Sequence, residues 1–408
     1  MLNKRIAMIS FHTCPLAYLE GKETGGMNVY VLELSKALVK KGYQVDIYTR
    51  IQDLISPEIV NLNANLRVIH LKAGPKKAID KKLWPELVGV FSNSLNKYIK
   101  KNHLAYDIIH AHYYLSGLIA LKIVKQNKHK IPLVMTFHTL ALMKNLVARN
   151  NREKESKLRI SAEFKLIQQS DHITASSKAD LEYLTHLYEC PEEKISLIHP
   201  GVDTKIFYPI PRQEALDYIQ SITKDKIILY VGRLEALKGI DVLMHALKIL
   251  LNKNSEYKLC LLIVGGKNGE TSSEFTRLKA LQKTLHISPI VGFVSQRNQH
   301  ELPYYYNSAE IVVMASHYES FGMSALEAMA CGVPVIISQT SGISSLIDPE
   351  LNSLIVSAHN PLQLANQIEK VLSDSNFSAR YKSIVLPFVS SMSWEKVAEN
   401  MSTVYNNK

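Results

Sequence analysis

The chain has little that could brace it covalently. Its 408 residues include only four cysteines, Cys14, Cys190, Cys260 and Cys331, without paired or metal-ligand spacing. They read as reduced thiols, which points to a cytoplasmic protein and away from a disulfide framework or a zinc site. No apolar run approaches the roughly 20 residues that span a bilayer. No Asp-x-Asp pair occurs, so a metal-bridged diphosphate is not indicated and no metal or resident cofactor is expected. No Gly-x-Gly-x-x-Gly follows the first strand, which argues against a nicotinamide dehydrogenase. The formal net charge is +11, but aromatics are not interleaved with basic runs, so nucleic acid is not an expected partner. The opening MLNKRIAMISFHT reads as a short strand rather than a signal peptide. Repeats and low-complexity segments are absent as well.

What is present is alternation. The runs IAMIS, VDIYT, LRVIHL, DIIHAH, LVMTF and HITAS read as strands, with helical periodicity between them, as in Val29 to Lys41. The series restarts with IILYVGR, LCLLIVGG, EIVVMAS and VPVIIS. Strand–helix alternation implies parallel sheets covered on both faces. The Pro- and Gly-rich stretch His199 to Pro211 reads as a linker. The predicted fold is α/β, with two doubly wound Rossmann-like domains facing across a cleft. They span 1–205, completed by the C-terminal helix 390–408, and 206–389.

The richest stretch is ESFGMSALEAMACGVPVI, Glu319 to Ile336. A Gly-Met-Ser turn at Gly322, Met323 and Ser324 opens a helix, and free backbone N–H groups with a dipole's positive end suit a phosphate. Glu319 and Glu327 flank that turn and could hold hydroxyls, as acidic residues hold ribose. Glutamates near a helix start can simply favour the dipole. Glu327, however, lies inside an apolar helix, where a buried carboxylate needs a partner. GRLEALKG puts Arg233 and Lys238 after a strand, where two cations suit a diphosphate and a leaving nucleotide. Gly25 and Gly26 in GGMNVY open a helix after the first strand and allow close backbone approach. His138 ends an apolar strand, beside Thr139. His110 and His112 share a strand face, but a metal would need further ligands.

Together these elements resemble the retaining nucleotide-sugar glycosyltransferases of the GT-B type, family 4, over nearly the whole chain. GGMNVYVLELSKAL, HPGVD, GRLEALKG, ESFGMSALEAMACGVPV and SWEKVA carry the resemblance, in order. With HTCPLA, HYYLSG and FHTLALMKN, the chain is similar to the inositol-phosphate N-acetylglucosaminyltransferases of mycothiol synthesis, with the sucrose-phosphate synthases a close second. The resemblance implies a catalytic set of His138, Glu319, Arg233 and Lys238. Glu327 would hold the ribose and Glu319 the transferred sugar's 3-hydroxyl. Arg233, Lys238 and the backbone of Gly322, Met323 and Ser324 would hold the diphosphate. His138 would touch the 6-hydroxyl region, the loop before Ser295 would receive the base through Val294, and Gly25 and Gly26 would approach the donor. Asn28, Lys81, Tyr113, Thr139 and Arg159 would hold a phosphorylated acceptor, and the tail helix would cross back onto the first domain.

The implied partners are a nucleotide-sugar donor, UDP-linked, and a phosphorylated polyol or sugar. A membrane surface is not favoured, and a homodimer is left open. The chain departs from the family at TSGISSLIDPELN, where Ser341-Gly342 replaces Gly-Gly and no Glu stands at Ser344 or Ser345. Donor choice is the property this bears on. Competing readings are a glycosidase, a lipid-linked acceptor and a nucleotide-sugar sensor without catalysis.

Overall fold

The computed structural model describes residues 4–16, 25–127, 129–151, 153–220, 226–254, 257–266, 269 and 271–407. The chain forms two compact units, Met1–Gly201 with Trp394–Lys408, and Val202–Ser393. Among the described residues, no helix is long and apolar enough to cross a membrane.

The first unit is built on eight strands: β1 (Arg5–Ile9), β2 (Gln44–Arg50), β3 (Ile59–Asn63), β4 (Leu66–Leu71), β5 (Ile108–His112), β6 (Leu133–Thr136), β7 (His172–Ala175) and β8 (Ile195–Leu197). Their order is β3-β4-β2-β1-β5-β6-β7-β8. All neighbours are parallel except β3, which runs antiparallel to β4. Ile6, Met8 and Ile9 are wholly buried, as expected of a strand covered on both faces. The order reverses at β1 and β5, and ligands of such sheets bind outside the carboxyl ends at that point. The helix Trp394–Asn406 packs on Gly26–Lys40 of this unit. Its ends are fixed by Trp394 against Tyr30, ring centroids 5.5 Å apart, and by Tyr405 against His110.

The second unit has β9 (Lys226–Val231), β10 (Leu259–Val264), β11 (Val291–Val294), β12 (Ile311–Met314), β13 (Val335–Ser338) and β14 (Ile355–Val356). These form a parallel sheet in the order β11-β10-β9-β12-β13-β14. Its reversal lies between β9 and β12, and the loops after those two strands carry GRLEALKG and ESFGMS. The segment VGFV, expected as a loop, is strand β11. Only four residues long and half-buried, it offers little hydrophobic pattern by which to read it.

Candidate functional site

Two glycines set the geometry in the second unit. Gly239 has φ +65, and a Cβ there would lie 2.0 Å from the Ala315 carbonyl oxygen. Only glycine lets the turn after β9 press against the end of β12. His317 N–H closes the same contact by donating to the Leu237 carbonyl at 2.8 Å. The Lys238 ammonium, nearly buried, thereby meets the Glu319 carboxylate in an ion pair. Glu319 is itself fixed by its backbone: its carbonyl accepts from Gly342 N–H at 2.9 Å.

Gly322, φ +114, precedes the helix Met323–Ala330, and no side chain caps that helix. The first N–H groups of a helix lack intrahelical partners, so Met323 and Ser324 stand at an end suited to an anion. A Cβ at Gly322 would approach Ser341 Oγ at 3.0 Å, and that hydroxyl donates to the Phe321 carbonyl at 3.1 Å. The Ser341 that departs from the family pattern is therefore a brace behind the turn.

Arg233 is held differently. Its guanidinium is 40% exposed and meets Glu235 at 2.8 Å, while its carbonyl accepts from the buried Tyr230 hydroxyl at 2.9 Å. Glu327 is buried and accepts from the Tyr306 hydroxyl at 2.8 Å. Burial pushes its carboxyl up to about 7, although Tyr306 opposes the shift. Val294 ends β11, its carbonyl accepting from Gly265 N–H at 2.9 Å. Arg233, Lys238, Glu319 and the Gly322 turn thus share one end of the sheet, and Glu327 lies on the helix behind them.

In the first unit, Gly25 and Gly26 lead into the helix Gly26–Lys40. Asn28 is buried and stitches that helix start to the loop after β1: it accepts from Thr13 Oγ1 at 2.8 Å and donates to the Cys14 carbonyl at 2.7 Å. Tyr113 follows β5 with φ +74 and lies 4.6 Å from the His12 ring. Thr139 follows β6, and both its carbonyl and hydroxyl oxygens accept from the Arg159 guanidinium, at 2.8 and 3.1 Å. That guanidinium also lies 4.8 Å over the Tyr113 ring. Tyr113, Thr139 and Arg159, three of the five residues expected to hold the acceptor, therefore converge. Lys81 is exposed and opens the short turn Lys81–Leu83. Three residues on, Trp84 packs 4.9 Å from His12.

Arg159 is not the open cation that the sequence suggests. It is 2% exposed and pairs with Glu163 at 2.8 Å and Glu155 at 2.9 Å. Burial would raise the Glu155 carboxyl, but Arg159 and Lys144 outweigh it and hold it below the usual range. Glu163 lies one helical turn after Arg159, a signal readable in the sequence, while Glu155 precedes the helix's N-cap, Ser156. Tyr306, the partner of Glu327, left no such signal, being 21 positions away.

His138 has φ +60 and follows β6. It keeps partial solvent contact, with its ring 5.0 Å from that of Tyr30 and its Nε2 2.9 Å from His112 Nδ1. Burial drives its conjugate acid down to about 3.

Known proteins share this architecture. The family described as Glycosyltransferase Family 4 matches residues 24–206, and that described as Glycosyl transferases group 1 matches 212–384. A D-inositol 3-phosphate glycosyltransferase of Corynebacterium jeikeium is 32% identical over 98% of this chain and 96% of its own. A solved sucrose-phosphate synthase from Thermosynechococcus elongatus is 30% identical, covers 99% of this chain and 98% of its own, and superposes with a TM-score of 0.89. Anabaena Alr3699/HepE, solved in complex with UDP and glucose, covers 99% of this chain and 100% of its own at a TM-score of 0.76; at 16% identity it supports the fold alone. The chain belongs to the glycosyltransferases of group 1 and family 4, enzymes of the GT-B fold with two Rossmann-like parallel sheets.

Proposed function

We propose that this glycosyltransferase moves a sugar from a UDP-linked donor, UDP-GlcNAc or UDP-Glc, to a phosphorylated polyol or sugar such as inositol 3-phosphate, retaining the anomeric configuration. The unit Val202–Ser393 binds the donor. Arg233 and Lys238 exchange their carboxylate partners for the diphosphate, which also takes the N–H groups at Met323 and Ser324. Freed of Lys238, Glu319 accepts from a sugar hydroxyl. Glu327 holds the ribose, and the end of β11 at Val294 receives the base. The unit Met1–Gly201 binds the acceptor. Lys81 supplies the exposed charge, Tyr113 and Thr139 supply hydroxyl donors, Asn28 shapes the loop, and Arg159 positions the other two. Retention follows from same-face attack, with the donor's phosphate taking the acceptor proton.

The observation that carries the phosphorylated acceptor is the meeting of Tyr113, Thr139 and Arg159 at the carboxyl ends of β5 and β6. A donor-by-acceptor screen read by nucleotide release tests it. Inositol phosphate should react much faster than inositol; equal rates would reject the reading in favour of a lipid-linked or glycan acceptor. The likeness to the sucrose-phosphate synthase favours fructose 6-phosphate as a second acceptor for the same screen. Product anomers read by NMR test retention.

A further inference from the structure

Three histidines meet at the carboxyl ends of β5 and β6. His110 and His112 lie on one face of β5, ring centroids 4.3 Å apart, and the ring of His138 stacks 5.1 Å from that of His112. The outer contacts of this cluster are chemically one-sided. His112 Nε2 lies 2.8 Å from the Met8 sulfur on β1. A thioether sulfur has lone pairs and no proton to give, so a bare nitrogen there would set lone pair against lone pair. His112 Nε2 must carry the hydrogen. In a neutral imidazole the other nitrogen is then bare. That nitrogen, Nδ1, lies 2.9 Å from His138 Nε2, so the hydrogen between the two rings sits on His138.

We infer that Met8 and His112 lock His138 in its Nε2–H tautomer, leaving Nδ1 as a hydrogen-bond acceptor for a substrate hydroxyl. The assignment follows from the contact network, as tautomers must. Neutrality is consistent with burial, which lowers the basicity of all three rings, most markedly that of His112, also disfavoured by the rings of His110 and His138. The other edge of the cluster agrees: His110 reaches the Tyr405 hydroxyl at 2.6 Å and Thr136 Oγ1 at 2.8 Å, partners that can each give or take a hydrogen and require no charge. A bare Nδ1 repels phosphate oxygens and accepts from an alcohol. With a conjugate acid this strong, His138 orients a hydroxyl without removing its proton. His138 is thus a contact for neutral sugar, while Met8 and His112 are positioning residues. Only the identity of the hydroxyl rests on the proposed function; the tautomer does not.

Long-range proton–nitrogen correlation spectra of the full chain with labelled histidine decide the matter without any variant. His112 and His138 should both show a protonated Nε2 and a bare Nδ1, unchanged from pH 8 to pH 5. A His138 protonated at Nδ1, or titrating near pH 6.5, would overturn the inference. Met8→Leu conserves volume and removes the sulfur acceptor, so both rings should then populate mixed tautomers. A single unchanged tautomer in that variant would show that Met8 does not set it. A phosphorylated acceptor carrying fluorine in place of the ring hydroxyl that meets His138, such as a fluorinated inositol 3-phosphate, gives the functional readout. Its kcat/KM should fall at least tenfold in the wild-type protein, and the gap should narrow in Met8→Leu. The expected tautomer without discrimination against fluorine would instead reject His138 as a sugar contact.

Discussion

The sequence marks both Arg159 and Arg233 for anions, and the structure treats them in opposite ways. Arg159 is 2% exposed, pairs with two carboxylates, and lies over the rings of Tyr113 and Tyr114. Arg233 is 40% exposed and meets the Glu235 carboxylate, itself 29% exposed. Arg159 cannot leave the wholly buried Glu163 without stranding its charge, whereas a pair whose carboxylate keeps solvent contact, as Glu235 and Glu319 do, can exchange. The first arginine is therefore part of the scaffold that holds Thr139 and Tyr113. The second is solvent-exposed, and the proposed function gives it to the donor's diphosphate.

The largest expected effect tests that contrast through folding. Arg159→Ala would leave the Glu163 carboxylate, wholly buried beside Tyr188, without its counter-charge. The loss should be roughly 3–5 kcal/mol of stability, read by urea denaturation. Arg233→Ala should change stability by no more than about 0.5 kcal/mol. Equal losses in the two variants would break the comparison.

A second contrast sets Glu327 against Asp46, both buried. Burial works against Asp46, but hydrogen bonds from Arg67 and Tyr106 and the charge of Arg5 outweigh it, so its carboxyl is held low. Glu327 has Tyr306 and is pushed up to about 7 from 4.5. The linkage signs are opposite. Asp46 stabilises the fold above its unfolded value of 3.8, and that contribution is lost as pH falls through the lower folded value. The protonated Glu327 contributes fully below 4.5 and loses that contribution as pH rises through about 7. Between pH 4.5 and 8 this alkaline loss is on the order of 3 kcal/mol. In Glu327→Gln it should vanish, as shown by urea midpoints across that range. A variant with the wild-type slope would mean that Glu327 is ionised throughout.

Much of this was legible in the sequence, for reasons of locality. Gly239 and Gly322 lie next to the cations and N–H groups they position, so GRLEALKG and ESFGMS read as sites from a few residues each. The parallel sheets followed from alternation. The antiparallel β3, with its exposed residues, has little apolar pattern, and β8 and β14 are three and two residues long. What stayed hidden was partnership across the chain: Tyr306 for Glu327, Met8 for His112, Tyr405 for His110. His110 and His112 could be weighed only as metal ligands, because the thioether and hydroxyl that give them another role lie 104 and 295 positions away.

A smaller effect separates the two sites by ligand. Arg233→Ala should weaken UDP about tenfold to a hundredfold, or roughly 1.4–2.8 kcal/mol, and leave the preference for a phosphorylated acceptor intact. Lys81→Ala should do the reverse, raising KM for the phosphorylated acceptor several-fold with UDP affinity unchanged. Calorimetry with UDP and initial rates with the two acceptors measure both. If each variant harmed both ligands alike, the assignment of donor to one unit and acceptor to the other would fall.

The smallest expected effect is none. A leaving nucleoside diphosphate must have its charge met, and metal-dependent enzymes meet it with a divalent ion bridging the phosphates. Under the proposed function the second unit offers another supply: the Lys238 ammonium, released from Glu319, the Arg233 guanidinium, and the helix start at Gly322. Two full charges and a helix dipole of about half a charge would offset most of the diphosphate's charge without a metal ion. Transfer rates should therefore be the same with and without excess EDTA. Complete loss of transfer, restored by magnesium or manganese, would show that Lys238 stays with Glu319 when donor binds. The contrast between the exchangeable and the fixed cations would then have to be redrawn, with Lys238 beside Arg159 on the fixed side.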